Sequence, residues 1–166
     1  MKSKKRIVLA YSGGLDTSII LKWLQENYKA EVICYTADIG QEIDRKKIFK
    51  NAKKFGVKNI IIQNLRDEFV KNYIYPMIRG HAIYEGVYLL GTSIARPLIA
   101  KDQIRVAKKF KAYAVSHGAT GKGNDQIKYK HGYHYFGHTK KEIAPRRVWK
   151  LKSRTDLKKK KKKHKI

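Results

Sequence analysis

The stretch "AYSGGLDTS", Ala10 to Ser18, follows the apolar run "RIVLAY" (Arg6 to Tyr11) and precedes a segment with helical periodicity. Two adjacent glycines at such a junction make a tight strand-to-helix turn. They also take backbone angles closed to other residues and let an anion approach the main chain, where the first turn of the following helix offers unpaired N–H groups and a favourable dipole. Ser12, Thr17 and Ser18 add hydroxyl donors. Asp16 would repel a phosphate unless Mg²⁺ bridged carboxylate and phosphate oxygens. A bare Gly-Gly pair is more often a simple capping turn. The hydroxyls and the preceding strand favour a phosphate loop here. Neither GxxxxGK[ST] nor GxGxxG occurs, so the loop is of neither the Walker nor the dinucleotide type.

Working outward, short β-branched runs alternate with longer helical patterns, as in βαβ units with a parallel sheet. Strands are predicted at Arg6–Tyr11, Glu31–Ala37 ("EVICYTA"), Asn59–Gln63 and Ala112–His117. Helices are predicted at Thr17–Tyr28, Arg45–Phe55 (ended by Gly56), Arg66–Tyr73 (with Pro76 interrupting) and Thr92–Phe110, with Pro97 in the first turn of the last. The segment "YKHGYHYFGH" alternates aromatic and polar residues as a strand or hairpin does. Ser153 and Asp156 in "SRTDL" suggest a terminal helix from about Arg154, frayed by its lysines. The fold class is α/β: a three-layer, parallel-sheet, Rossmann-like domain over 1–152, followed by a lysine-rich tail over 153–166.

The chain has 166 residues, 42% of them hydrophobic, enough for one core. Cys34 is the single cysteine and reads as a small buried residue of a reducing compartment. The basic, apolar N-terminus imitates an export signal but breaks at Gly13, and no membrane-spanning run occurs, so a cytoplasmic protein is expected. The formal charge is +26, and residues 128–166 hold sixteen of the 39 basic residues but only two of the 13 acids. Lys158–Lys163 is an unbroken lysine run with no aromatic to stack a base, which favours nonspecific polyanion binding over base recognition.

The pattern SGGxD[ST] resembles the pyrophosphate loop of the N-type ATP pyrophosphatases. Four more stretches, "TADIGQ" (Thr36–Gln41), "YEG" (Tyr84–Gly86), "LLGTSIARPLIAK" (Leu89–Lys101) and "HGATGKGNDQ" (His117–Gln126), are similar in order and wording to the argininosuccinate synthase family. That resemblance implies an adenine nucleotide alpha hydrolase-like fold and an ATP-dependent carbon–nitrogen ligase, which joins citrulline to aspartate through a citrullyl-adenylate and releases AMP and pyrophosphate. It implies ATP contacts at Ala10, Tyr11, Ser12, Gly13, Gly14, Leu15, Asp16, Thr17, Ser18, Ala37 and Gly118. It implies citrulline contacts at Tyr84, Thr92, Ser93, Asn124 and Lys128, and aspartate contacts at Thr120, Asn124 and Asp125. Asp16 and Asp125 are the candidate catalytic residues, with Asp16 reaching Mg²⁺ through ATP and Asp125 orienting the attacking amine.

The chain departs from the family pattern where Lys128 stands for arginine, Lys130 for an acid and Arg146 for tryptophan. Lysine keeps a charge but loses the two-pronged geometry suited to a carboxylate. The resemblance also implies a homotetramer and a second, synthetase domain, so an isolated nucleotide-binding domain with impaired turnover is expected. Lys122 reads equally as a phosphate contact or as an exposed loop lysine, and His117 reads as a packed or hydrogen-bonded residue because no zinc-type spacing accompanies it. The rival reading is an ATP-pyrophosphatase fold acting on or binding RNA through the basic C-terminal region.

Overall fold

The computed structural model describes residues 5–120 and 123–148. Four strands arise where the β-branched runs place them: β1 (Arg6–Ala10), β2 (Glu31–Asp38), β3 (Ile60–Asn64) and β4 (Ala114–Ser116), joined at the edge by a short β5 (Lys141–Ile143). All pairs are parallel, in the order β3-β2-β1-β4-β5. The chain builds outward from β1 on one side, then crosses back to place β4 on the other. The switch in direction therefore falls between β1 and β4, and the loops leaving their carboxyl ends flank one crevice.

Alternation along β1 sends Ile7 and Leu9 to one face and Val8 to the other, and two cores result. The first packs α1 (Leu15–Tyr28) and α2 (Arg45–Lys54) through Ile19, Ile20, Leu24, Ile48 and Ala52. The second packs α3 (Arg66–Phe69), α5 (Gly91–Lys109) and α6 (Asn124–Gly137) through Phe69, Leu98, Ile104, Tyr129 and Tyr133. Helices thus cover both faces, giving the expected three-layer α/β arrangement. Cys34 is fully buried, and desolvation pushes its thiol up to about 12, which leaves it unreactive.

Three local readings change. The segment holding "YKHGYHYFGH" is the body of α6, a helix and not a strand or hairpin, because its buried positions, Gln126, Tyr129, Gly132, Tyr133 and Gly137, fall at helical spacing. Gly132 lets α6 lie directly on α5, since a Cβ there would stand 2.6 Å from Ala100 Cβ. Pro76 does not interrupt the third helical stretch. A π turn over Val70–Ile74 links α3 to α4 (Tyr75–Arg79), and Pro76 sits in the first turn of α4, where no intrahelical donor is needed. Pro97 lies in the second turn of α5 and leaves the carbonyl of Ser93 without its helical N–H. The lysine-rich tail and the helix predicted from Arg154 lie outside the described residues.

Gln103, on α5 and fully buried, donates to Val8 O at 3.0 Å and Ser116 O at 2.9 Å and accepts from Tyr133 Oη at 2.7 Å. One amide therefore ties β1, β4 and α6 together directly beneath the crevice. Gln103→Leu is expected to cost about 2–3 kcal/mol, because a buried hydroxyl and two carbonyls lose a partner. Urea unfolding measures it; a change below about 0.5 kcal/mol, the size of a neutral surface change, shows that the bridge contributes nothing.

Candidate functional site

The crevice is an open cleft of about 940 Å³. Its first wall is the β1–α1 loop. Gly13 adopts φ +75°, and Asn51 Nδ2 donates to its carbonyl at 2.9 Å, so α2 braces the turn from outside. No side chain caps α1 at Gly14, and Asp16 and Thr17 of the first turn line the cleft. Within the loop, Thr17 Oγ1 donates to Gly14 O (3.3 Å), Ser12 Oγ lies 3.1 Å from Thr17 Oγ1, and Gly14 N donates to Ser12 Oγ (3.3 Å). The turn is preorganised by its own hydroxyls.

Ala10, Tyr11, Ser12, Asp16 and Thr17 line the cleft, whereas Gly13, Gly14, Leu15 and Ser18 do not. Ser18 differs from its sequence reading as a phosphate donor. It is buried, it donates to Gly14 O at 2.8 Å, and it accepts from Tyr11 Oη at 3.0 Å. Its single proton is spent on the helix turn. Asp16, in the first turn of α1, bonds Arg146 Nη1 at 2.9 Å through its Oδ2.

The floor is made by Thr36 and Ala37, near the carboxyl end of β2, and by Gln41 in the loop beyond it. Gln41 closes this loop on itself, accepting from Ile39 N (2.9 Å) and donating to Ala37 O (2.7 Å). Buried Asp38 accepts from Arg66 Nε at 2.8 Å, Gly40 N at 3.2 Å and Arg45 Nη2 at 3.3 Å. The Arg66 bond first, then the Gly40 N–H, hold its carboxyl below the usual range against the cost of burial.

The second wall is the β4–α6 loop. His117 is fully buried, stacks on Tyr129 at 4.9 Å, and accepts from Ala119 N on Nδ1 (3.2 Å). The remaining proton must then lie on Nε2, which faces Glu142 Oε1 at 3.0 Å. This agrees with the reading of His117 as a packed residue, and it fixes the path of Gly118–Thr120. The two loops abut: a Cβ at Gly118 would stand 3.3 Å from Thr17 Cγ2. Among the described residues no cluster of three His, Cys, Asp or Glu is placed to hold a metal.

At the far end, α5 and α6 present a polar cluster. Arg96 Nη2 bonds Asp125 Oδ2 at 2.9 Å, Lys128 Nζ donates to Ser93 Oγ at 2.9 Å, and Tyr88 Oη bonds Thr92 Oγ1. Asn124 and Thr120 line the same space, and Tyr84, 58% exposed, stands at its rim in a turn bridged to Tyr88. The cleft thus brings together Ala37, Gly118, Tyr84, Thr92, Ser93, Thr120, Asn124, Asp125 and Lys128 from four separate stretches of chain. Sequence reasoning missed Arg96. Its signal is its place one turn beyond Thr92 on the same helix face. Lys122 lies outside the described residues.

A parallel sheet with a glycine-and-hydroxyl loop at its switch point defines an α/β domain of the adenine nucleotide alpha hydrolase-like class. Solved structures agree: a U34-tRNA thiolase, NcsA, from Methanococcus maripaludis superposes with TM-score 0.63 at 18% identity, over 97% of this chain and 56% of that one. An NAD⁺ synthetase from Burkholderia pseudomallei superposes with TM-score 0.60 at 13% identity, over 98% and 60% respectively. These likenesses concern the fold. The family model described as "Arginosuccinate synthase N-terminal HUP domain" matches residues 6–166, and the chain belongs to that family. The argininosuccinate synthase of Pelagibacter ubique is 79% identical over all 166 residues, and that of Ehrlichia canis 59% over 162. The chain spans 42% and 41% of their lengths. Among the described residues no helix is long and apolar enough to cross a membrane.

Proposed function

We propose that the cleft binds ATP, with its triphosphate on the Ser12–Thr17 turn and the N-terminus of α1, and that the domain serves the argininosuccinate synthase reaction, as an ATP-dependent carbon–nitrogen ligase. The observation that carries this reading is the convergence of the phosphate-type loop with the polar cluster of α5 and α6 in one cleft at the β1/β4 switch point. In the domain arrangement we infer, residues 1–152 form the nucleotide-binding unit, and residues beyond this chain complete the substrate sites.

Each group then has a task. The first-turn N–H groups of α1 receive phosphate oxygens without reorganising, because the loop is already held by Asn51 and by its own hydroxyls. Ala37 and Gly118 flank the nucleoside. Asp16 would hold a Mg²⁺ ion bound with ATP, as the single protein carboxylate that such an ion commonly takes beside substrate oxygens, and the ion would supply charge neutralisation of the phosphates there. Thr92, Ser93, Asn124 and Lys128 hold citrulline with its ureido oxygen towards the α-phosphorus, so positioning supplies much of the rate. Pyrophosphate leaves along α1. The amine of aspartate, held by Thr120, Asn124 and Asp125, loses a proton and then displaces AMP from the adenylated carbon, and Arg96 holds the orienting carboxylate in place through its 2.9 Å bond to Asp125.

Calorimetry with Mg·ATP tests the reading. The 166-residue chain is expected to bind Mg·ATP, and Asp16→Ala to weaken that binding at least about tenfold while metal-free ATP binds at least as well as to wild type, since one charged ligand is worth about 1.5–3 kcal/mol and the carboxylate repels phosphate when no ion bridges them. Absence of nucleotide binding in the wild-type chain overturns it. Pyrophosphate release that depends on citrulline, and AMP release that depends on aspartate, would identify the two substrates.

A further inference from the structure

Residues 10–18 contain no lysine or arginine, so the loop has no cation of its own for a triphosphate. The fold delivers one from far along the chain. β4 and β5 run parallel with Ser116 opposite Ile143, so both strands end at the carboxyl edge where the cleft opens. Three residues after Ile143 comes Arg146. It lies in α7 (Pro145–Val148), whose start is fixed by buried Ala144 and by the bond from Arg147 N to Ala144 O at 3.0 Å. The Glu142–His117 contact ties the same strand to the second loop. The guanidinium of Arg146 meets Asp16 at 2.9 Å, with its side chain 21% exposed and that of Asp16 39% exposed.

We propose that Arg146 is a polyphosphate-binding residue of this site, taking an oxygen of the terminal phosphates of ATP and, after cleavage, of the pyrophosphate. The inference rests on the ATP reading above. Asp16 is a placeholder partner for it. A partly exposed Arg–carboxylate pair is weak, so it yields readily to a triphosphate, whose oxygens suit the guanidinium fork at least as well. The exchange frees the Asp16 carboxylate as the phosphates arrive. Because Asp16 belongs to the first turn of α1, its bond to Arg146 sets the guanidinium at that end of the helix.

The test compares ATP and AMP, because AMP lacks the two phosphates in question. Wild-type, Arg146→Ala and Arg146→Lys chains are titrated calorimetrically with each nucleotide at fixed Mg²⁺ and salt, with thermal unfolding run alongside. Arg146→Ala is expected to bind ATP about ten- to a hundredfold more weakly and AMP within twofold of wild type, with Arg146→Lys in between. Unchanged ATP affinity in Arg146→Ala overturns the proposal and leaves the ATP reading intact. Equal losses for ATP and AMP assign Arg146 a structural role and also overturn it. Tighter ATP binding in Arg146→Ala makes the arginine a competitor for Asp16, which likewise defeats it. If the wild-type chain takes up neither nucleotide, the ATP reading fails first and the proposal with it.

Discussion

Gly13→Val is expected to remove nucleotide binding, raising the Kd for Mg·ATP by at least about a hundredfold, while the chain stays folded. At φ +75° a β-branched residue is strained by about 1–3 kcal/mol. Space makes it worse. A Cβ on Gly13 would lie 3.0 Å from Ile48 Cγ1 and 3.2 Å from Ile48 Cα, and the second neighbour is backbone of α2, which cannot swing aside. The loop therefore has to change course. Doing so breaks the Asn51 brace on the Gly13 carbonyl and misaligns the N–H groups of α1, and a loss of about 2.7 kcal/mol in binding already amounts to a hundredfold. The strain is confined to the turn and leaves the pairing of β1 intact, so the melting temperature should fall by only a few degrees. Calorimetry beside a melting curve checks both halves. A Gly13→Val chain that binds Mg·ATP like wild type would show that the turn is only a helix start.

Gly132→Leu should destabilise the domain by about 3 kcal/mol or more, lowering the melting temperature by roughly 6–12 °C for a chain of this size. The cause is the 2.6 Å approach to Ala100 Cβ on α5. Neither helix can retreat, because α5 is pinned to the sheet by Gln103 and α6 is held by Tyr129 and Tyr133 against His117. Prying α6 away also displaces Asn124, Asp125 and Lys128 at its N-terminal end, so the polar end of the cleft loosens together with the core. His131→Leu on the exposed side of α6 is the control and should stay within about 0.5 kcal/mol of wild type. If both variants melt alike, the contact between α5 and α6 is not close-packed as described.

The two glycines show where sequence was legible and where it was not. Gly13 announced itself, because a β-branched run, a Gly-Gly turn and a helical pattern lie within a dozen residues and obey local rules. Gly132 did not. Alternating Tyr, His and Gly satisfy a period of two as readily as a helix, and only the docking of α5 shows that Tyr129, Gly132 and Tyr133 share one buried face while Tyr135 is 79% exposed. The same holds for Pro76, whose effect depended on the π turn before it. Short β5 escaped notice because three residues, Lys141 to Ile143, carry too little pattern to read.

What the sequence by itself determined was the alternation of strands and helices over most of the chain, the glycine-and-hydroxyl turn at the end of β1, and the residues of the second loop. Each is written in contiguous residues, and backbone preference and periodicity act over such distances. Tertiary structure alone decided the strand order that sets the β1 and β4 loops face to face, the inward turn of Ser18, the place of Arg96 beside Asp125, and the meeting of Arg146 with Asp16 across 130 residues. Such pairings depend on which faces are buried together, and burial is a property of the whole packed chain.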